Sequence, residues 1–251
     1  MEVGVYGLGR FGKFWATELA KQVTVKGYNR TPLNHGIEGV SIVSKEELFL
    51  CDTIVLCVSI SSFKDVLTSI VPLLKPGTVV MDTCSVKVYP VQVMLNLLPP
   101  DVQILATHPM FGPDSGKHGV QNLPLVYSAV RCSGEQETQW RRVFREMGLK
   151  VLDMDCHQHD REAAYSQGVT HFVGRVLDEL HLAPTELATL GYRNLMSIVE
   201  QTCNDPIQLF YDLQRYNPYA HDMRVRLNDA LDAVLHVLDE HDTDYSELPR
   251  T

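Results

Sequence analysis

The chain has 251 residues, 45% of them hydrophobic, and a formal net charge of −9. That length supports one large domain or two modest ones. The acidic balance and the lack of a basic block argue against nucleic acid as a partner, and no apolar run approaches the length of a membrane span.

The six cysteines (Cys51, Cys57, Cys84, Cys132, Cys156 and Cys203) are scattered and form no CxxC pair. They read as reduced thiols of a cytoplasmic protein, not as a disulfide framework or a metal centre. A strand that starts at residue 2 leaves no room for a signal peptide in this reading.

The first predicted strand, Val3–Tyr6, breaks into Gly7-Leu8-Gly9-Arg10-Phe11-Gly12, and a helical pattern follows through Lys21. This is a GxGxxG fingerprint in the strand–turn–helix context it requires. Gly7 permits the turn, Gly9 lets a pyrophosphate approach the backbone, and Gly12 lets the helix pack closely. The second strand, Val23–Tyr28, ends in Asn29-Arg30-Thr31. A carboxylate here would accept from a ribose 2′-hydroxyl and repel a 2′-phosphate, whereas an arginine accommodates the phosphate. The ending therefore favours NADP, with NAD as the alternative acceptor.

Further strands follow at Thr53–Val58, Thr78–Asp82 and Gln103–Ala106, with helices between and a short edge element at Val40–Val43. Alternation of this kind implies a Rossmann-type, mainly parallel α/β sheet. Ser59, after the third strand, is then placed beside the cofactor. Two segments follow sheet strands: Asp82-Thr83-Cys84-Ser85-Val86-Lys87, and Thr107-His108-Pro109-Met110-Phe111-Gly112-Pro113-Asp114-Ser115-Gly116-Lys117. Ligands of open α/β sheets lie beyond the carboxyl ends of the strands. Ser85 and His108 are thus aimed at one site on independent grounds.

Leu125–Arg131 and Lys150–Asp153 complete the strand signals, with a helix from Glu135 to Met147 between them. Only helical periodicity follows: His159–His181, Pro184–Cys203, Pro206–Asn217 and Ala220–Asp239, with Pro184, Pro206 and Pro218 at or near helix starts. The boundary is set near 153, giving a dinucleotide-binding domain over 1–153 and a helical domain over 154–251. The last ten residues read as a frayed tail. An all-helical unit of that size with this many apolar positions implies burial against a second subunit, so the helical domain is read as a dimerisation domain of a homodimer. Cys156-His157-x-His159 reads as a boundary loop.

The helical region carries Ser166-Gln167-Gly168-Val169-Thr170-His171 and Glu200-x-Thr202-x-x-Asp205. Together with the Asp-x-x-Ser-x-Lys and HPMFGPxSGK segments, these resemble the prephenate/arogenate dehydrogenases of tyrosine biosynthesis, and most of all the plant-type arogenate branch. The resemblance covers nearly the whole chain. It implies oxidative decarboxylation of a cyclohexadienol, a small-molecule substrate, with hydride passing to a nicotinamide. By analogy His108 takes the 4-hydroxyl proton, a task suited to a neutral imidazole. Ser85 bonds to His108 or to the substrate hydroxyl, and Lys87 holds the loop or helps with charge. Gln167, Thr170 and His171 line the substrate side.

Asp205 bears on the choice of substrate. A carboxylate there would pair with the ammonium of arogenate and not with the keto acid of prephenate. It equally suits an N-cap for the helix at Pro206. Where many prephenate-using relatives have an arginine, this chain has Glu200, which leaves Lys117, Arg175, Arg193 and Arg215 as candidates for binding substrate carboxylates. A β-hydroxyacid-type dehydrogenase would share Asn-Arg-Thr but would place a lysine on the first long helix of the second domain. A non-enzymatic NADP sensor would have no use for Ser85 and His108.

Overall fold

A computed structural model of the chain describes residues 1–240; the expected frayed tail lies outside them. Among the described residues the strands are β1 (Glu2–Tyr6), β2 (Thr24–Tyr28), β3 (Val40–Ile42), β4 (Thr53–Leu56), β5 (Val79–Asp82), β6 (Gln103–Pro109), β7 (Pro124–Arg131) and β8 (Lys150–Asp153). They form one sheet in the order β3-β2-β1-β4-β5-β6-β7-β8. Every pairing is parallel except that of β6 with β7. The central strands β4 and β5 are buried at every position. They read as unbroken apolar runs because helices cover both faces of the sheet.

The helices of this part are α1 (Arg10–Ala20), α2 (Lys45–Leu48), α3 (Ile60–Ile70), α4 (Val88–Leu97) and α5 (Gly134–Glu146). Gly12, Trp15, Ala16 and Leu19 give α1 a buried stripe at helical spacing. Trp15 packs against Phe11 at 6.1 Å and Phe144 of α5 at 6.3 Å between ring centroids. Each such pair contributes roughly 0.5–1.5 kcal/mol beyond its buried area. The opposite core contains Phe63 and Leu67 of α3, Met94 of α4, and Leu213 from far along the chain.

Strand β6 runs past the expected end at Ala106 to Pro109, because the antiparallel β7 extends the ladder and pairs Val126 with His108. His108 therefore sits in a strand end rather than in the loop beyond it.

The rest of the described chain is helical: α6 (Cys156–Ala163), a π-helical turn (Ala164–Gly168), α7 (Val169–Glu179), α8 (Leu190–Asn204), α9 (Ile207–Tyr216) and α10 (Ala220–Glu240). Three expectations are corrected here. Cys156 to His159 are helical, not a loop, because Asp155 caps α6 and accepts from His157 N at 2.9 Å and Gln158 N at 3.0 Å. The helix expected over 159–181 runs without a break to Glu179 but passes through a π turn at 164–168, which falls on Ser166 and Gln167. Finally, α8 starts at Leu190 and not at Pro184, because Thr189 is its cap and accepts from Tyr192 N.

The helical part is fastened to the sheet part at several points. Asp212 accepts from Ser61 N at 3.0 Å and Ser61 Oγ at 3.1 Å, at the start of α3. The Tyr89 and Tyr216 rings lie 4.5 Å apart. Asp160 of α6 accepts from Lys87 N at 2.6 Å and Val88 N at 2.9 Å, capping α4 from another helix.

Candidate active site

The strand order reverses between β1 and β4, and the glycine loop sits at that crevice. Gly7 has φ +97°, and a Cβ there would lie 2.4 Å from Cys57 O; a Cβ on Gly12 would lie 1.9 Å from Gly7 O. These two glycines are demanded by close packing. A Cβ on Gly9 would meet nothing within 4 Å, so the backbone at Gly9 is open to the cleft. Helix α1 has neither a side-chain cap nor an acidic residue in its first turn. An uncapped helix N-terminus behind an open glycine is the cradle a pyrophosphate needs, so these residues fit a dinucleotide.

Asn29 ties this loop down: its Oδ1 accepts from Leu8 N at 2.9 Å and its Nδ2 donates to Thr31 O at 2.8 Å. Arg30 and Thr31 are exposed at the end of β2.

A cleft of about 590 Å³ opens between the sheet edge and the helical part. Gly9, Arg10, Phe11, Gly12, Ser59, Ser85, His108, Gln167, Thr170, His171 and Asp205 all line it. Gly7, Asn29, Arg30 and Thr31 are not in its lining.

The sheet-side wall is built on a buried, closely bonded group of side chains. His108 is 2% exposed. Its Nδ1 lies 2.9 Å from His159 Nε2, and His159 Nδ1 lies 2.7 Å from Asp160 Oδ1. Nε2 of His108 has no protein partner among the described residues and is the ring nitrogen left for the cleft. Burial first, then the neighbouring His159 and the Lys87 ammonium, hold the His108 imidazole well below its ordinary range. Lys87 is wholly buried, paired with Asp82 and donating to Thr107 O at 2.5 Å. It thereby clamps the ends of β5 and β6 that carry Ser85 and His108. Ser85 makes no hydrogen bond to His108 and lines the cleft beside it.

The helical wall, which Arg10 of α1 bridges to the loop after β6, is looser. Arg10 donates through Nη1 to Asp205 Oδ1 at 3.1 Å and through Nη2 to Asp114 Oδ1 at 2.5 Å. Asp205 therefore faces the cleft and does not cap α9; Pro206 holds that position. Burial pushes the Asp205 carboxyl up, opposed by His171, Arg10 and Arg175, and burial pushes the His171 imidazole down. Gln167 Oε1 and His171 Nδ1 are buried without a partner among the described residues. Thr170 Oγ1 donates back to Ser166 O at 2.9 Å.

None of the four cations picked from sequence lines the cleft. Arg175 is tied to Thr202 O and Asp205 O, Arg193 to Ala188 O, and Arg215 lies over the Tyr211 ring. Among the described residues Arg10 is the one lysine or arginine in the lining. Sequence reading placed Arg10 inside the dinucleotide-binding glycine fingerprint and missed its reach to Asp205, since nothing in the spacing links two residues so far apart. It also missed His159 and Asp160, whose only sequence signal was the capping Asp155 ahead of them.

Residues 21–131 match the family described as the nucleotide-binding domain of prephenate dehydrogenase, and residues 176–248 match the TYRAAT1-like C-terminal domain. The chain is 37% identical to arogenate dehydrogenase 1 of Arabidopsis thaliana over 100% of its own length and 42% of the relative's. It is 36% identical to arogenate dehydrogenase 2 of the same plant over 93% of its length and 69% of the relative's. Both relatives are named as chloroplastic. The chain thus spans under half of the first relative and about two thirds of the second. Its fold resembles prephenate dehydrogenase from Aquifex aeolicus in complex with hydroxyphenyl propionate and NAD+, with a TM-score of 0.75 and 18% identity over 96% of this chain and 91% of that one. Arogenate dehydrogenase from Synechocystis gives a TM-score of 0.70 and 20% identity over 96% and 93%.

Proposed function

The chain belongs to the prephenate/arogenate dehydrogenase family, and from that premise we propose that it oxidatively decarboxylates arogenate to tyrosine with NADP as the preferred acceptor. One observation carries the reading: a buried histidine, His108, shares a cleft with the open glycine of a dinucleotide cradle and with the carboxylate of Asp205.

The dinucleotide supplies the hydride acceptor when bound, held by Gly7, Gly9, Arg10, Phe11, Gly12 and Ser59. As hydride leaves ring C4, His108 Nε2 takes the proton of the 4-hydroxyl. The ring carboxylate then departs as CO2, and its electron pair makes the ring aromatic. His108 returns the proton to the oxygen. A base already held neutral by burial suits this exchange near neutral pH. Ser85 bonds to the substrate hydroxyl from the same wall. Gln167 and His171 offer buried atoms without partners to a polar ligand.

Asp205 pairs with the ammonium of the arogenate side chain, and its Oδ2 makes no hydrogen bond among the described residues. Arg10 is the cation that receives a substrate carboxylate. Arg30, exposed at the end of β2, favours the 2′-phosphate of NADP.

The exposed apolar positions Leu231, Val234, Leu235 and Leu238 recur at helical spacing on α10 and support a homodimer. All six cysteines are free, which supports a reducing compartment, and the cytoplasm is our reading. No described helix is long and apolar enough to cross a membrane.

Steady-state rates with arogenate or prephenate, each with NADP or NAD, test the proposal. A kcat/KM highest for arogenate with NADP is the expected result. Turnover with neither substrate would refute the reading.

A further inference from the structure

Behind His108, away from the cleft, stand two buried residues of α6 that take no part in the scheme above: His159, 2% exposed, and Asp160, fully buried. Asp160 receives three donors. Lys87 N and His159 Nδ1 reach its Oδ1, and Val88 N reaches its Oδ2. A carboxylate surrounded by donors is an acceptor, which puts the His159 proton on Nδ1 and leaves Nε2 as a lone pair. That lone pair faces His108 Nδ1 at 2.9 Å, with the rings at 71° to one another. Nδ1 of His108 must then carry the proton, and its Nε2 must be bare. Proton positions follow here from the whole bonding network and not from either ring alone.

We propose that His159 and Asp160 are positioning residues that lock His108 in the Nδ1–H tautomer, keep its basic Nε2 turned to the reacting hydroxyl, and steady the ring when it takes the proton. The inference rests on the dehydrogenase reading of the cleft. The charged and titratable groups facing the ring are His159 and Asp160 from α6, and Lys87 with its partner Asp82 from the segment between β5 and α4. Only the α6 pair offers the ring an acceptor, because the Lys87 ammonium is spent on Asp82 and Thr107 O.

Asp160 has a second task, capping α4, so substituting it would confuse positioning with folding. His159 has no such bond to α4 and is the better place to test. Gln at 159 can offer an oxygen where Nε2 sits; Leu cannot. Nitrogen NMR of isotope-labelled imidazoles, without substrate, should find His108 protonated at Nδ1 in the natural protein and shifted toward Nε2–H in His159→Leu. With arogenate and NADP, kcat of His159→Leu should fall on the order of 10²-fold, with KM and dinucleotide Kd unchanged. His159→Gln should recover at least about tenfold of that loss, since it restores the acceptor.

An Nε2–H tautomer in the natural protein would overturn the proposal. So would a folded His159→Leu with undiminished kcat, or a His159→Gln no better than Leu. If the natural protein turns over neither substrate, the dehydrogenase reading fails, while the tautomer measurement still judges the lock.

Discussion

The two walls of the cleft are built differently. On the sheet side the buried polar groups around His108 are engaged through His159, Asp160, Lys87 and Asp82, which leaves His108 Nε2 and the Ser85 hydroxyl for a ligand. On the helical side Gln167 Oε1 and His171 Nδ1 are buried without partners among the described residues, and Asp205 is held by a half-exposed bridge through Arg10 of α1 to Asp114. An unpaired buried polar atom costs on the order of 1–3 kcal/mol. A wall that carries such atoms gains by binding a polar ligand; a wall that carries none is organised before the ligand arrives. In the proposed reaction, chemistry belongs to the sheet-side wall and recognition to the helical wall.

Breaking the sheet-side wall should have the largest effect. His108→Asn is expected to lower kcat on the order of 10³-fold or more while dinucleotide binding, followed by fluorescence titration, stays intact. Lys87→Met leaves Asp82 buried without its cation and should destabilise the fold by roughly 3–5 kcal/mol, read as a lower midpoint in urea. The exposed bridge that reaches the helical wall should tolerate Asp114→Asn, on the loop after β6, within about 1 kcal/mol.

The same contrast predicts a pH dependence. The His108 imidazole is held below its ordinary value of 6.5 in the folded chain. The unfolded state therefore binds more protons between that depressed value and 6.5, so the stability His108 contributes is complete above 6.5 and is lost as pH falls below it. The midpoint of unfolding should drop over that window, and less so in His108→Asn. The acid limb of kcat/KM should lie below 6.5 for the same reason. A smaller effect is expected from Leu235→Glu on α10, which should shift sedimentation toward the monomer and leave dinucleotide binding unchanged.

Much of the sheet-side wall was legible in the sequence. The glycine spacing, and strand ends followed by Ser85 and His108, put chemistry-bearing residues at one edge by topology alone. Less was legible where bonding between distant elements decides. The Cys156-His157-x-His159 motif was read as a boundary loop, with the helix beginning only at His159, because the Asp155 cap was not recognised as a helix start. Residues 184–189 were read as helix from Pro184, although Thr189 provides the cap. The π turn at 164–168 is invisible to periodicity, since it inserts one residue into a pattern that otherwise continues. Lys87 could be placed at the site but not buried, because its partners Asp82 and Thr107 come from two different strands. Arg10 and Asp205 meet only once the helical part docks.

The most direct test of a recognition wall set against a chemical one is the ratio of kcat/KM for arogenate over prephenate, in the natural protein and in Asp205→Asn. Loss of the charged partner should lower kcat/KM for arogenate by roughly 10–100-fold and leave prephenate unchanged or improved, with kcat on the better substrate nearly preserved. An unaltered ratio would contradict the account and reduce Asp205 to a partner of Arg10.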